Sequence, residues 1–495
     1  MDKFIKINSV QGGDFTTAQN LIDFVIPSSM GVVNLRDSYI NLNVKVNVSE
    51  SNTDGGGVGV YCAGVQWKKG SNTKNPHFTN TAIVKNCNLR SAQKGQIENI
   101  RRIDQLSQVM ATYTRSFEEE QSYSYLKANQ VVGNVDKQHW TLYREINKTG
   151  SVISRDLDIC PVQISLADLM DFCRSARECD LSKTGDLRLH LELNVDKLQP
   201  VQRMTVSADL VDFDELVAMK EITAEGDANQ VVTNTKFTDG LGLSPFYVGQ
   251  KVVITATHTD GGASNVNETR IISNISQSTS TSELSINFNS SWGSLASGKT
   301  YTDIDVKPAE FDVAKSSLEI NLAEIVLKRV GNPVGVDQID YETFSTEQTN
   351  GLSQTSFQNL YQCEADATNV LIAFPDAETD IISSNNDINS FRIRINNEDA
   401  TDREVTVDDP LYYDRLNMTF GSMGYRLKNL TQNYGNSTTN DYGSVYDDAE
   451  TKTVVIANPL FQTEREKQLQ VNIEAGGGGV KKLTLFKQRP RTMVF

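Results

Sequence analysis

Alternation of apolar and polar residues with a period of two is the feature that most restricts how this chain folds. In "SYINLNVKVNV" (38–48), Ile40, Leu42, Val44, Val46 and Val48 fall on one side and Asn41, Asn43, Lys45 and Asn47 on the other. Successive side chains leave opposite faces of a pleated backbone, so the run predicts a strand with one buried face. The pattern returns in "DLRLHLELNVDKL", where Leu187, Leu189, Leu191, Leu193 and Val195 share a side. It recurs in "SELSINF" (282–288), "SLEINL" (317–322), "SFRIRI" (390–395) and "QLQVNI" (468–473). Half-solvated faces go with antiparallel sheets, so the expected fold is mainly β and antiparallel.

Helices are expected to be few and short. "GQIENIRRIDQLSQV" places Ile97, Ile100, Ile103 and Leu106 at helical spacing, which predicts one amphipathic helix. "SLADLMDFC" opens on Ser165 with Asp168 three residues on, a start resembling a capping box. A third helix is expected within 212–222. These segments punctuate the strands without alternating with them, which argues against βαβ units and a parallel sheet.

The chain of 495 residues is long enough for about three domains. Residues 1–208 read as an N-terminal arm and a first β unit, 209–222 as a connector, and 223–308 as a small inserted β domain rich in Gly, Ser, Thr and Asn. Residues 309–495 read as a second large β unit with a C-terminal tail. In that unit Gly476 to Gly479 separate "QLQVNI" from "VKKLTLF" and predict a flexible hairpin connection. Two units of similar size suggest two antiparallel eight-stranded jelly-roll sandwiches.

Charge narrows the function. The 47 basic against 63 acidic side chains give −16, which opposes general coating of nucleic acid and favours solubility. The six cysteines (62, 87, 160, 173, 179, 363) contain no C-x-x-C and read as reduced, mostly buried thiols. The opening "MDKFIKINSV" has no apolar h-region, so intracellular synthesis without a signal peptide is expected. Sequons such as those at Asn267 and Asn436 then read as by-products of polar loops.

One motif invites a catalytic reading. "GSLASGKT" (Gly293–Thr300) fits the phosphate-loop pattern, in which backbone N–H groups at a helix start cradle phosphate. The following "YTDIDVKP" alternates like a strand, whereas the motif needs a helix there. A turn between two strands is therefore favoured over a nucleotide site using Lys299.

Other chemistry is sparse. His77, His139, His190 and His258 lie far apart, with His190 on the polar face of a strand. The acidic stretch from Asp376 to Asp409 lacks the order of a calcium loop and reads as solvated loops. Trp67, Trp140 and Trp292 leave little for a sugar-stacking platform. The C-terminal "VKKLTLFKQRPRTMVF" carries five basic residues and no acidic one. It reads either as an inward-facing arm near nucleic acid or as a basic tail. No catalytic residue, cofactor or metal ligand is assigned.

Three stretches together resemble the double-jelly-roll major capsid proteins of DNA viruses, especially the polinton-like virus and virophage group. They are "LIDFVIPSSMGVVNLRDSYINLNVKVNV", "TAIVKNCNLRSAQKGQIENIRRIDQL", and "QISLADLMDFC" followed by "LSKTGDLRLHLELNVDKL". The last would close the first jelly roll. The resemblance is clearest over residues 15–200 and covers 309–495 mainly through strand pattern and size. It implies a structural, non-enzymatic protein of the virion, forming homotrimers of pseudo-hexagonal outline that tile an icosahedral shell. Implied partners are other copies of the chain and penton and minor capsid proteins, with the packaged DNA met only indirectly. The polar loops and the 223–308 module are then candidates for the outer surface. Two other readings stand beside it: a β-sandwich minor capsid protein, fibre or receptor-binding adhesin, and a nucleotide hydrolase using Gly293–Thr300.

Overall fold

The computed structural model describes residues 2–48, 60–67, 80–114, 139–147, 159–202, 222–223, 230–232, 251–258, 266–277, 284–288, 300–308, 316–376, 380, 382, 388–401, 404–406, 409–427, 455–460, 463–476 and 480–495. The alternating runs form strands, and their apolar members face inward. In the strand Leu187–Leu193 the four leucines are buried, while Arg188 and His190 are exposed. At about 1.5–3 kcal/mol per fully buried side chain, this one strand contributes on the order of 6–12 kcal/mol of gross apolar burial.

Two antiparallel layers make the first sandwich, the first of them widened by the short strand Cys179–Asp180, which also pairs with Val32–Val48. One runs Lys3–Asn8, Ser316–Arg329, Val32–Val48, Ile159–Ser165 in spatial order, and the other runs Leu21–Ile26, Leu187–Leu193, Val84–Ser91, Gly95–Arg101. Lettering these eight strands B to I along the chain gives the layers B-I-D-G and C-H-E-F, which is a jelly roll. Phe24, Ile40, Leu42, Leu89, Val162 and Ile320 belong to its core.

The second sandwich repeats this order. Gln338–Gln354, Val480–Val494, Asn369–Ala373 and Val455–Pro459 form B-I-D-G. Ser356–Cys363, Lys467–Ala475, Ile388–Ile395 and Glu398–Asp399 form C-H-E-F, with Val405–Thr406 also paired to Ile388–Ile395. Each sandwich places a helix between its F and G strands, Ile103–Thr114 in the first and Pro410–Ser422 in the second. The second helix starts on Asp409, whose Oδ1 accepts from Leu411 N at 2.9 Å, with proline in the first turn. The fold is a double jelly roll.

Five expectations are corrected. The limits at 208 and 309 do not follow the sheets, because Ser316–Arg329 is strand I of the first sandwich. It lies between Lys3–Asn8 and Val32–Val48, with Ile325 opposite both Ile7 and Ile40. The strand in "LRLHLELNVDKL" is therefore H and does not close the jelly roll. The module, an antiparallel six-stranded sheet within 222–308, is inserted between H and I of the first sandwich.

The glycine run is not a hairpin connection. Lys467–Ala475 and Val480–Val494 pair with different partners and belong to different layers, so Gly476 leads a crossing from one layer to the other. The expected helix at 95–109 is half strand: Gly95–Arg101 is F, and the helix begins at Ile103. Arg102, at φ 59°, makes the left-handed turn between them. The C-terminal basic segment is neither arm nor tail but strand I of the second sandwich. The expected helix in 212–222 lies outside the described residues except for Ile222, which is in a strand.

Register shows where the long connections leave. Val48, the end of D, pairs with Ser316, the start of I, and Lys45 pairs with Ile159, the start of G. The D–E, F–G and H–I connections of the first sandwich thus emerge at one end. There Val60–Trp67, His139–Asn147 and Leu198–Gln202, one from each connection, form a three-stranded sheet. In the second sandwich Ala373, the end of D, pairs with Val455, the start of G, and with Thr484 near the start of I.

Candidate functional site

The most elaborated polar and aromatic arrangement in the described residues is the seam between the sandwiches. The helix Ile103–Thr114 lies in it and is buried along most of its length. Tyr113 stacks on Phe420 of the second helix at 5.5 Å, and its hydroxyl is 3.3 Å from that of Tyr412. Tyr412 in turn donates to Val455 O at 3.0 Å. Gln105 Nε2 donates to Asp380 O at 2.8 Å, and Gln108 Oε1 accepts from Ile382 N at 3.2 Å. Burial pushes the Tyr412 phenol up to about 12.

A second part of the seam gathers carboxyl groups. Glu98, on strand F, is 2% exposed and accepts from Phe172 N at 3.1 Å. Asp171 lies beside it. Burial, then the negative charge of Asp171, holds the Glu98 carboxyl well above the usual carboxylate range. Burial also raises Asp171, against the pull of Arg174, and raises Glu342. Tyr341 closes this region, donating to Ile97 O at 3.0 Å and meeting Phe172 edge-on at 5.2 Å. These groups knit F of the first sandwich to B of the second.

The residues singled out in the sequence are not brought together. Gly293–Lys299 lie outside the described residues, while Thr300–Pro308 is a strand paired with Lys251–His258. The phosphate-loop pattern is thus followed by strand where it needs a helix N-terminus. His190 is exposed, with its Nδ1 in hydrogen-bond contact with Asp23 Oδ1. His77 lies outside the described residues; His139 and His258 lie in strands, their side chains not described. Cys87, Cys173, Cys179 and Cys363 are buried free thiols. Burial pushes Cys179 up to about 12 and Cys363 to about 11, so both are protonated and unreactive at neutral pH.

Ion pairs account for charges that looked solvated or nucleic-acid-directed. Asp380 pairs with Arg102 and Lys482, and Asp399 with Arg392 and Arg394. In strand I of the second sandwich, Lys487 pairs with Glu347, and Arg489 reaches Glu364 at 2.9 Å and Asp366 at 2.8 Å. Those cations are spent within the sandwich. Their acidic partners lie more than a hundred residues away in sequence, which is why composition alone read the segment as basic.

No family model matches the chain, and no curated protein matches its sequence. Among solved structures it is similar to a chain of the Sputnik virophage, 11% identical, covering 100% of this chain and 86% of that one, with a TM-score of 0.39. It is also similar to the Faustovirus major capsid protein, 7% identical over 100% of this chain and 90% of that one, TM-score 0.44. The mavirus major capsid protein is 8% identical over 99% of this chain and 86% of that one, TM-score 0.34. The assignment as a double jelly roll rests on this chain's own strand order.

Proposed function

We propose that this chain is the major capsid protein of a DNA virus, assembling as trimers of pseudo-hexagonal outline that tile an icosahedral shell. The observation that carries the reading is the duplicated B-I-D-G/C-H-E-F order, two like sandwiches joined side by side in one chain. Three such chains present six similar sandwiches, so a threefold assembly acquires a near-sixfold rim. The sequence resemblance over residues 15–200 supports the same role. So does the charge of −16, which keeps free particles apart until screening at about 8 Å in physiological salt lets short-range packing act. This role needs no active site.

The reading divides the chain by sheet rather than by sequence order. The first sandwich takes residues 2–202 with 316–329, the inserted module lies within 222–308, and the second sandwich takes 338–494. Partners are other copies of the chain, with penton and minor capsid proteins at special positions, and the location is the virion. The end bearing the long connections and the inserted module faces outward. Asp380, in the D–E connection of the second sandwich, meets Arg102, where the F–G connection of the first begins. Both elaborated ends therefore lie on the same side.

The test is negative-stain electron microscopy of the purified protein with its solution mass. Compact trimers with a hexagonal outline, or shells of them, are expected. Discrete monomers that bind a receptor or glycan would replace this reading with the adhesin.

A further inference from the structure

A cavity of about 540 Å³ opens between the two sandwiches. Its lining includes the buried Ile103, Leu106 and Met170 of the first sandwich and the buried Phe344 of the second. It also includes three guanidinium-bearing residues from separate segments: Arg36, Arg174 and Arg426. Arg174 is held in place. Its Nη1 pairs with Asp171 at 3.0 Å, its Nε donates to Ala167 O at 3.3 Å, and its guanidinium lies 5.2 Å from the centroid of the Tyr425 ring. Arg36 and Arg426 are exposed, and among the described residues neither side chain has a carboxylate partner. Asp168 and Asp171 are the lining carboxylates, so three cations face two anions in a chain whose overall charge is −16.

We propose that this cavity binds a small amphiphilic anion. Its oxyanion head, a carboxylate, sulfonate or phosphate, sits at the arginines, and its apolar body rests on Ile103, Leu106 and Phe344. The planar donor fork of arginine suits such heads, because two parallel N–H groups meet two oxygens. The cavity lies within the ~300–1,000 Å³ range of small-molecule sites, which favour interfaces between domains. Because its lining comes from both sandwiches, an occupant stabilises their pairing by mass action. This inference does not depend on the assembly proposed above.

The experiment titrates the full-length protein with 8-anilinonaphthalene-1-sulfonate and with N-phenyl-1-naphthylamine, which has the same apolar body and no charge. Saturable one-to-one binding of the sulfonate is expected, with the uncharged probe about tenfold weaker. The double variant Arg36→Gln/Arg426→Gln should weaken the sulfonate about tenfold, leave the uncharged probe unchanged, and keep the melting midpoint of the free protein. Both positions are exposed, so folding should survive; if the double variant does not melt cooperatively, each single variant makes the same comparison. Met110→Trp, which fills the cavity, should weaken both probes. Equal binding of the two probes, or sulfonate binding unaffected by the arginine substitutions or by Met110→Trp, overturns the proposal. So does displacement of the sulfonate by inorganic phosphate alone at similar concentration, which would mark a plain anion site without an apolar component.

Discussion

Arg102 and Asp380 join the two sandwiches from matching backbone positions, both left-handed, at φ 59° and φ 60°. Arg102 Nη1 lies 3.2 Å from Asp380 Oδ2, and its Nη2 donates to Asp380 O at 3.2 Å. The same guanidinium holds Asp104 through two bonds of 3.1 and 2.9 Å. Lys482, on strand I of the second sandwich, completes the cluster at 2.6 Å from Asp380. Burial acts to raise the Asp380 carboxyl, but Arg102 and Lys482 outweigh it and hold the group below its ordinary value.

Substituting Arg102→Ala is therefore expected to be costly. It leaves Asp104 buried without its guanidinium and removes one of the two cations beside Asp380. Breaking such a buried network costs roughly 3–5 kcal/mol. The matching exposed pair gives the control: Arg392→Ala removes a fork onto Asp399 at the surface, where solvent screens the pair, and should cost far less than Arg102→Ala. Urea unfolding of both variants measures the contrast. Equal losses would show that the seam cluster contributes no more than a surface pair.

Strand Ser316–Arg329 makes a sharper prediction about folding units. A fragment of residues 1–208 lacks the strand between Lys3–Asn8 and Val32–Val48, together with the buried Ile320, Ile325 and Leu327. At about 1.5–3 kcal/mol per buried side chain, those three alone represent roughly 5–9 kcal/mol of lost burial. The fragment should lack cooperative melting, whereas residues 1–330 should melt cooperatively. Cooperative unfolding of the shorter fragment would mean that strand I is dispensable.

That example also shows where the sequence stops being legible. Alternation reports which side of a strand faces inward, and Ile40, Leu189, Ile320 and Leu469 were all readable as core. It cannot say which layer the strand joins, because both layers of a sandwich point their apolar faces at the same core. Lys467–Ala475 and Val480–Val494 consequently look like a hairpin across glycines while lying in opposite layers. Strand F misled for another reason. Glu98 and Ile100 are buried while Ile97 packs from the opposite face of the same strand, and apolar residues on both faces imitate a helical stripe. The seam itself left no signal, since its pairs link positions such as 102 and 380 that only the fold brings together.

The strand at Thr300–Pro308 bears on the phosphate-loop pattern. In sequence Lys299 is followed by the strand Thr300–Pro308, where the pattern requires the N-terminus of a helix. Isothermal titration with ATP and magnesium should show no saturable binding up to about 1 mM, the limit of weak specific affinity. Lys299→Ala should leave the oligomeric state unchanged. Micromolar binding lost in that variant would return the nucleotide reading to first place.

Glu98 predicts how stability changes with pH. Its folded carboxyl is held well above the ordinary value of 4.5, so the folded state keeps a proton that the unfolded chain releases. The stabilisation is fully present below that ordinary value and is lost as pH rises through the folded one. Between about pH 5 and pH 8 the wild type should therefore lose stability, by at most about 1.4 kcal/mol per pH unit from this group. Asp171 and Glu342, also raised, act in the same direction, while Asp380 and Asp399, held low, titrate below this window. Glu98→Gln keeps a carbonyl oxygen for Phe172 N and removes the ionisation. It should flatten the slope and exceed the wild type in stability at pH 8, with the gap closing toward pH 5. Urea unfolding across that range decides it: parallel curves would mean that Glu98 does not titrate there, and that the seam holds its acid by some means other than retaining its proton.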